Sequence, residues 1–133
     1  MLQPSSQHSS MAIEFPRPYL LLALVYMGGI YWLSSLSNPG IKGIDASFLH
    51  IPLYAGLAFC LLNAMSATRP RQAIPWKLPG FTFVAAAAYA VMDEWHQSFV
   101  PGRDASLGDV CLDMAGIGMT LLLGHRLAER GNA

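Results

Sequence analysis

Glu94, His96 and Gln97 stand within one helical turn of each other, Arg103 follows a Pro101-Gly102 pair, and Asp109 and Asp113 come shortly after. His50 and Tyr54 lie upstream at i, i+4 spacing. These side chains suggest two kinds of chemistry. A planar guanidinium grips phosphate or carboxylate with two parallel hydrogen bonds, and neighbouring carboxylates such as Glu94 and Asp109 would orient it. Imidazoles change charge near neutral pH, and Glu94 or His96 is of the right type for a general base. Anion binding is therefore the leading expectation and proton transfer the second. No GxSxG, Gly-rich phosphate loop or Cys-His pairing is present, so acyl-enzyme chemistry is not expected.

If these residues lie on helices, their spacing decides which faces meet. His50 and Tyr54 point the same way, Glu94 and Gln97 form an i, i+3 pair, and the four groups are expected to converge around Arg103. On a following helix Asp109, Asp113, Gly116, Thr120 and Gly124 fall on one stripe, acids at one end and small residues along the rest, which predicts a packing seam. Carboxylates with His50 and His96 are metal-ligand types, but no metal-specific spacing occurs, and neither metal nor cofactor is expected. Structural readings compete throughout. Asp45 or Ser47, and Asp104 or Ser106, are placed to cap helices; Pro39-Gly40 and Pro101-Gly102 read as turns. Met92, Trp95 and Phe99 read as core or lipid-facing filler, and the whole cluster could be a polar clasp between helices. Asp-Ala-Ser at Asp45–Ser47 and again at Asp104–Ser106 hints at a duplicated hairpin.

The elements that must hold these groups are membrane spans. Of the 133 residues 53% are hydrophobic and 12% charged, against about 25% charged in an ordinary soluble domain, and a small globule cannot hide such an apolar excess. No charge interrupts the chain between Arg17 and Lys42, and His50 is the lone ionisable group from Ala46 to Thr68. About 20 apolar residues cover a hydrocarbon core of about 30 Å, so spans are assigned at Pro18–Ser37, Ser47–Ser66, Gly80–Val100 and Leu107–Leu127. The fold class is thus an all-α integral membrane bundle of four transmembrane helices. Its domain runs over 18–128, between an N-terminal tail at 1–17 and a C-terminal tail at 129–133. A cleaved signal peptide is the alternative for the first span, but the apolar run exceeds a signal core, and Tyr31 and Trp32 suit an interfacial anchor. Met1–Ser10 read as a disordered tail, and translation can equally begin at Met11.

Eight Lys+Arg balance eight Asp+Glu, which leaves no basic field for nucleic acid; the lipid bilayer is the expected partner. Cys60 and Cys111 form neither a CxxC pair nor a disulfide framework. The 67–79 connection holds Arg69, Arg71 and Lys77 and no acid, so it is assigned to the cytoplasm, with Pro70, Pro75 and Pro79 making it non-helical and Trp76 at the headgroup level. Both termini join it, placing six cations inside with Arg17, Arg126 and Arg130, against two outside, Lys42 and Arg103. Nearly all the other ionisable groups then gather at the outer face. Unsatisfied polar groups at membrane depth cost several kcal/mol, so they should find each other.

The run from Asp93 through Glu94, His96, Gln97, Pro101, Gly102 and Arg103, followed by Asp109, Asp113 and Gly116, closely resembles the signature of VanZ-like membrane proteins. His50 and Tyr54 match an upstream His-x-x-x-Tyr, so the resemblance runs from about Asp45 to Gly124. Two positions depart from the pattern: Ala46 stands where the family usually has Lys, and Asp113 where it often has Asn. The resemblance implies a multi-pass protein of the bacterial inner membrane. The family's founding member is associated with resistance to teicoplanin, which implies a link to glycopeptide tolerance. The leading functional expectation is a non-enzymatic envelope protein whose outward cluster binds a lipid-linked or peptidoglycan-related component. One alternative is an intramembrane hydrolase or transferase on a lipid-linked substrate, with Glu94 or His96 as base and Asp109 and Asp113 holding a metal. The other is a structural partner of another membrane protein, docking through Gly116, Thr120 and Gly124. The oligomeric state is open.

Overall fold

The computed structural model describes residues 17–37, 46–66 and 77–131. It is all-helical over these residues, with four α-helices and no strand: α1 (Arg17–Ser34), α2 (His50–Ser66), α3 (Lys77–Gln97) and α4 (Leu107–Gly131). A short 3-10 turn, Ala46–Leu49, leads into α2. The readings made for Met1–Ser10, Met11, Pro39-Gly40, Lys42, Asp45, Arg69, Pro70, Arg71, Pro75 and Trp76 lie outside the described residues.

Ser47–Ser66, at 20 residues, and Leu107–Arg130, at 24, are long and apolar enough to cross a membrane, while Pro18–Ser34 is a shorter apolar helix. α3 carries Lys77, Asp93 and Glu94 within its length.

The helix ends differ from the assigned spans for local reasons. α1 stops at Ser34 rather than Ser37, its last turn closing through Ser35 N–H to the Tyr31 carbonyl (3.0 Å) and Leu36 N–H to that of Leu33 (3.2 Å). α3 begins at Lys77, so Pro79 stands in its first turn and not in a non-helical loop. That position is tolerated because the first N–H groups of a helix have no intrahelical partner. The Ala85–Ala88 run favours helix onward from there. α4 continues through Gly131, into the stretch assigned to the C-terminal tail.

α2 is the central helix. It packs against the other three, most extensively against α4. The core joins Ile30 of α1, Tyr54, Leu57 and Ala58 of α2, Ala86 and Ala90 of α3, and Ile117 and Leu121 of α4. Small residues let the backbones approach: a Cβ at Gly116 would collide with the Ile51 carbonyl of α2, and one at Gly124 would meet Leu62 Cδ2 at 3.1 Å. Thr120, one turn beyond Gly116, donates its hydroxyl to the Ala55 carbonyl at 3.2 Å.

Polarity is inverted relative to a soluble bundle. Leu21, Val25, Trp32, Phe81, Val84, Trp95, Leu122 and Leu127 are exposed, whereas Ser34, His50, Thr82, Asp93, Glu94, Gln97 and Asp113 are buried. Hydrocarbon suits that outer surface and water does not.

Candidate functional site

Two helix ends and two helix starts meet at one end of the bundle. α1 brings Ser34 there, α2 begins with His50 and Tyr54, α3 ends with Asp93 to Gln97, and α4 opens with Asp109 and Asp113. The inward stripe of α3 is Leu78, Thr82, Ala86, Ala90, Asp93, Glu94 and Gln97, near-helical spacing that carries the apolar face directly into polar residues.

Asp93 is the hub. Its Oδ2 accepts hydrogen bonds from Ser34 Oγ (2.8 Å), Gln97 Nε2 (3.1 Å) and the Tyr54 hydroxyl (3.2 Å), so one carboxylate oxygen ties together α1, α2 and α3. Its Oδ1 is buried and has no partner among the described residues. A second link joins α2 to α4, where His50 Nδ1 lies 2.9 Å from Asp113 Oδ1. Asp113 is 1% exposed, and the carboxylate holds the imidazole by Nδ1, leaving Nε2 as the other functional nitrogen. The His50 and Tyr54 rings lie parallel, 4° apart with centroids at 6.4 Å.

Glu94 and His96 each have a structural task. Glu94 Oε1 accepts from the backbone N–H of Ser106, fixing the end of α3 to the start of α4, while Oε2 is buried and has no partner among the described residues. Ser106 in turn caps α4, its Oγ accepting from Gly108 N–H at 3.0 Å. His96 packs its ring on Tyr31 at 4.5 Å and places Nε2 3.1 Å from Ser35 Oγ.

Arg103 is delivered by a tight turn. Its N–H bonds back to the Val100 carbonyl at 3.2 Å, with Pro101 second and Gly102 third at φ +80°, the pattern of a type II turn. Its Nη2 donates to the Leu33 carbonyl (3.4 Å) at the C-terminal end of α1, where a cation complements the helix dipole. Its Nε is buried and has no partner among the described residues.

Phenol and amide meet on Asp93 and the imidazole on Asp113, and although Arg103 lines the same pocket, no ion pair joins it to an acid among the described residues. Asp109 is half-buried and makes no side-chain hydrogen bond among them. The reason is geometric. Glu94 is turned toward Ser106 and Asp113 toward His50, which leaves Arg103 facing α1. Gly116, Thr120 and Gly124 lie on α4 against α2. Ser34 was not singled out in the sequence, and Asp93 was named there within the run that it opens but not as a candidate site residue. For Asp93 the signal was there, at i, i+4 to Gln97 and in register with Ala86 and Ala90.

Ser34, His50, Tyr54, Asp93, Gln97 and Arg103 line a small pocket of about 60 Å³. Ile30, Leu33, Leu49 and Leu53 complete its walls. No group of three or more His, Cys, Asp or Glu is placed to hold a metal ion among the described residues. A family model described as VanZ/LLP1 matches residues 2–127. The chain belongs to the VanZ/LLP1 family. Membership in VanZ/LLP1, together with two membrane-length apolar helices, points to a membrane protein. No curated protein and no solved structure matches the chain.

Proposed function

We propose that this VanZ/LLP1 chain is a four-span protein of the bacterial cytoplasmic membrane, both termini inside, whose polar end faces outward and binds the anionic group of an envelope component. α1 and α3 cross beside α2 and α4 because the polar ends of all four gather at one level. The Lys and Arg bias of the loops favours the outward direction. One observation carries the binding reading: Arg103 lines the pocket with a buried Nε–H that no described residue satisfies. A buried donor left unpaired costs about 1–3 kcal/mol, more when charged, and a phosphate or carboxylate oxygen would satisfy it.

The test uses growth of cells carrying the chain at graded teicoplanin concentrations, with membrane levels measured alongside. Arg103→Gln removes the charge. Glu94→Gln keeps an oxygen to accept from Ser106 N–H while removing the second carboxylate oxygen's charge. Arg103→Gln is expected at normal levels with tolerance lost, and Glu94→Gln, at a residue outside the pocket wall, at normal levels with tolerance kept. Undiminished tolerance in Arg103→Gln would defeat the binding reading.

A second reading, hydrolysis of a lipid-linked ester, is favoured by the His50–Asp113 pair. A carboxylate that fixes Nδ1–H leaves Nε2 free to take a proton from water as it attacks the ester. This assigns the base to His50 in place of Glu94 or His96. It needs no metal at Asp113, whose Oδ1 is occupied.

A further inference from the structure

The pocket holds two unmet demands of opposite sign. Asp93 is 5% exposed, and its Oδ1 can only accept when ionised; Arg103 Nε–H can only donate. Both residues line the same small pocket, yet no bond joins them. A buried carboxylate with uncharged donors on one oxygen alone is expensive, and so is a buried guanidinium N–H with no acceptor among the described residues. A single ligand that relieves both has a cationic donor at one end and an anionic acceptor at the other.

We propose that the pocket binds a zwitterionic phosphoethanolamine-type head group, with its primary ammonium on Asp93 Oδ1 and its phosphate on Arg103. The proposal rests on the anion-binding reading of Arg103 and adds the cationic half. The ammonium must carry N–H groups, because Asp93 Oδ1 calls for a donor that a quaternary nitrogen lacks. Tyr54 and His50 are the aromatic rings in the wall, and two rings do not make a cage for such a cation. Ile30, Leu33, Leu49 and Leu53 suit the intervening methylenes. The pocket lies where α1 ends and α2 begins, the depth at which phospholipid heads sit beside a membrane helix.

The full chain purified in detergent is titrated with phosphatidylethanolamine, phosphatidylglycerol and phosphatidylcholine of identical acyl chains, and binding is read by native mass spectrometry. Phosphatidylethanolamine should bind about tenfold tighter than phosphatidylglycerol, the value of one charge-assisted hydrogen bond, and phosphatidylcholine no tighter than phosphatidylglycerol. Asp93→Asn should reduce phosphatidylethanolamine to the phosphatidylglycerol level, and Arg103→Gln should weaken both. Soluble O-phosphoethanolamine distinguishes the sources: failure to compete identifies the membrane lipid, and competition at equal concentration identifies the free head group. Equal binding of phosphatidylethanolamine and phosphatidylglycerol by the wild-type chain overturns the ammonium assignment, whether or not Asp93→Asn folds. If Arg103→Gln still weakens both lipids, the anion reading survives that result. If Arg103→Gln binds like wild type, both fall.

Discussion

Gly116→Ala adds one methyl at the tightest point between α2 and α4. The new Cβ would collide with the Ile51 carbonyl and crowd the Ala55 nitrogen. Both are backbone atoms in a helix, so no side-chain rotation relieves the clash, and α4 must move away. Overpacking of this kind costs about 1–3 kcal/mol. The displacement also stretches the bonds on either side, His50 Nδ1 to Asp113 at 2.9 Å and Thr120 Oγ1 to the Ala55 carbonyl at 3.2 Å, each worth about 1 kcal/mol net. Against this, Ala gains about 1 kcal/mol of helix propensity over Gly. The expected loss is therefore about 2–4 kcal/mol. Gly118→Ala is the internal control, since a Cβ there meets nothing within 4 Å, and propensity alone should stabilise it by about 0.5–1 kcal/mol. Thermal unfolding of the three purified chains in one detergent measures the difference. Gly116→Ala melting at or above wild type would refute the close approach of α2 and α4, and with it the placement of Asp113 against His50.

Other expectations follow from the same geometry. A double-mutant cycle on His50 and Asp113, read as thermal stability in detergent, should show coupling of at least about 1 kcal/mol, while Arg103 with Asp109 should be additive; the reverse pattern would reinstate an Arg103 clasp. Gly102→Ala forces a Cβ into φ +80° and within 3.3 Å of the Ser37 carbonyl, costing about 1–2 kcal/mol. It should also lower any Arg103-dependent lipid binding, and unchanged binding would separate Arg103 from its turn. In a variant lacking Cys60 and Cys111, a cysteine at the exposed Ser106 should react with an impermeant maleimide from outside, and one at Gln72 only after lysis. The opposite labelling would invert the proposed topology.

The helices and their membrane character were legible in the sequence because both are local or compositional. Apolar runs bounded by charges, the Ala85–Ala88 segment and the small-residue stripe of α4 announce helices whatever packs against them. The turn before Arg103 was equally legible, since Pro-Gly restricts its own backbone. Helix ends were less so, because the first turn of α3 accepts Pro79 and the last turn of α1 closes on its own carbonyls. The residue types of the site were readable as well, for ionisable groups in apolar helices are too costly to be incidental. Partner choice was not. Spacing placed Glu94 and Gln97 near one face, but only the packed bundle turned Glu94 toward Ser106, set Asp113 on His50, and brought Ser34 of a distant helix onto Asp93. Those pairings depend on the distance and rotation of α1, α2 and α4 about α3. These are fixed by long-range contacts such as Gly116 against the α2 backbone, which no local periodicity encodes.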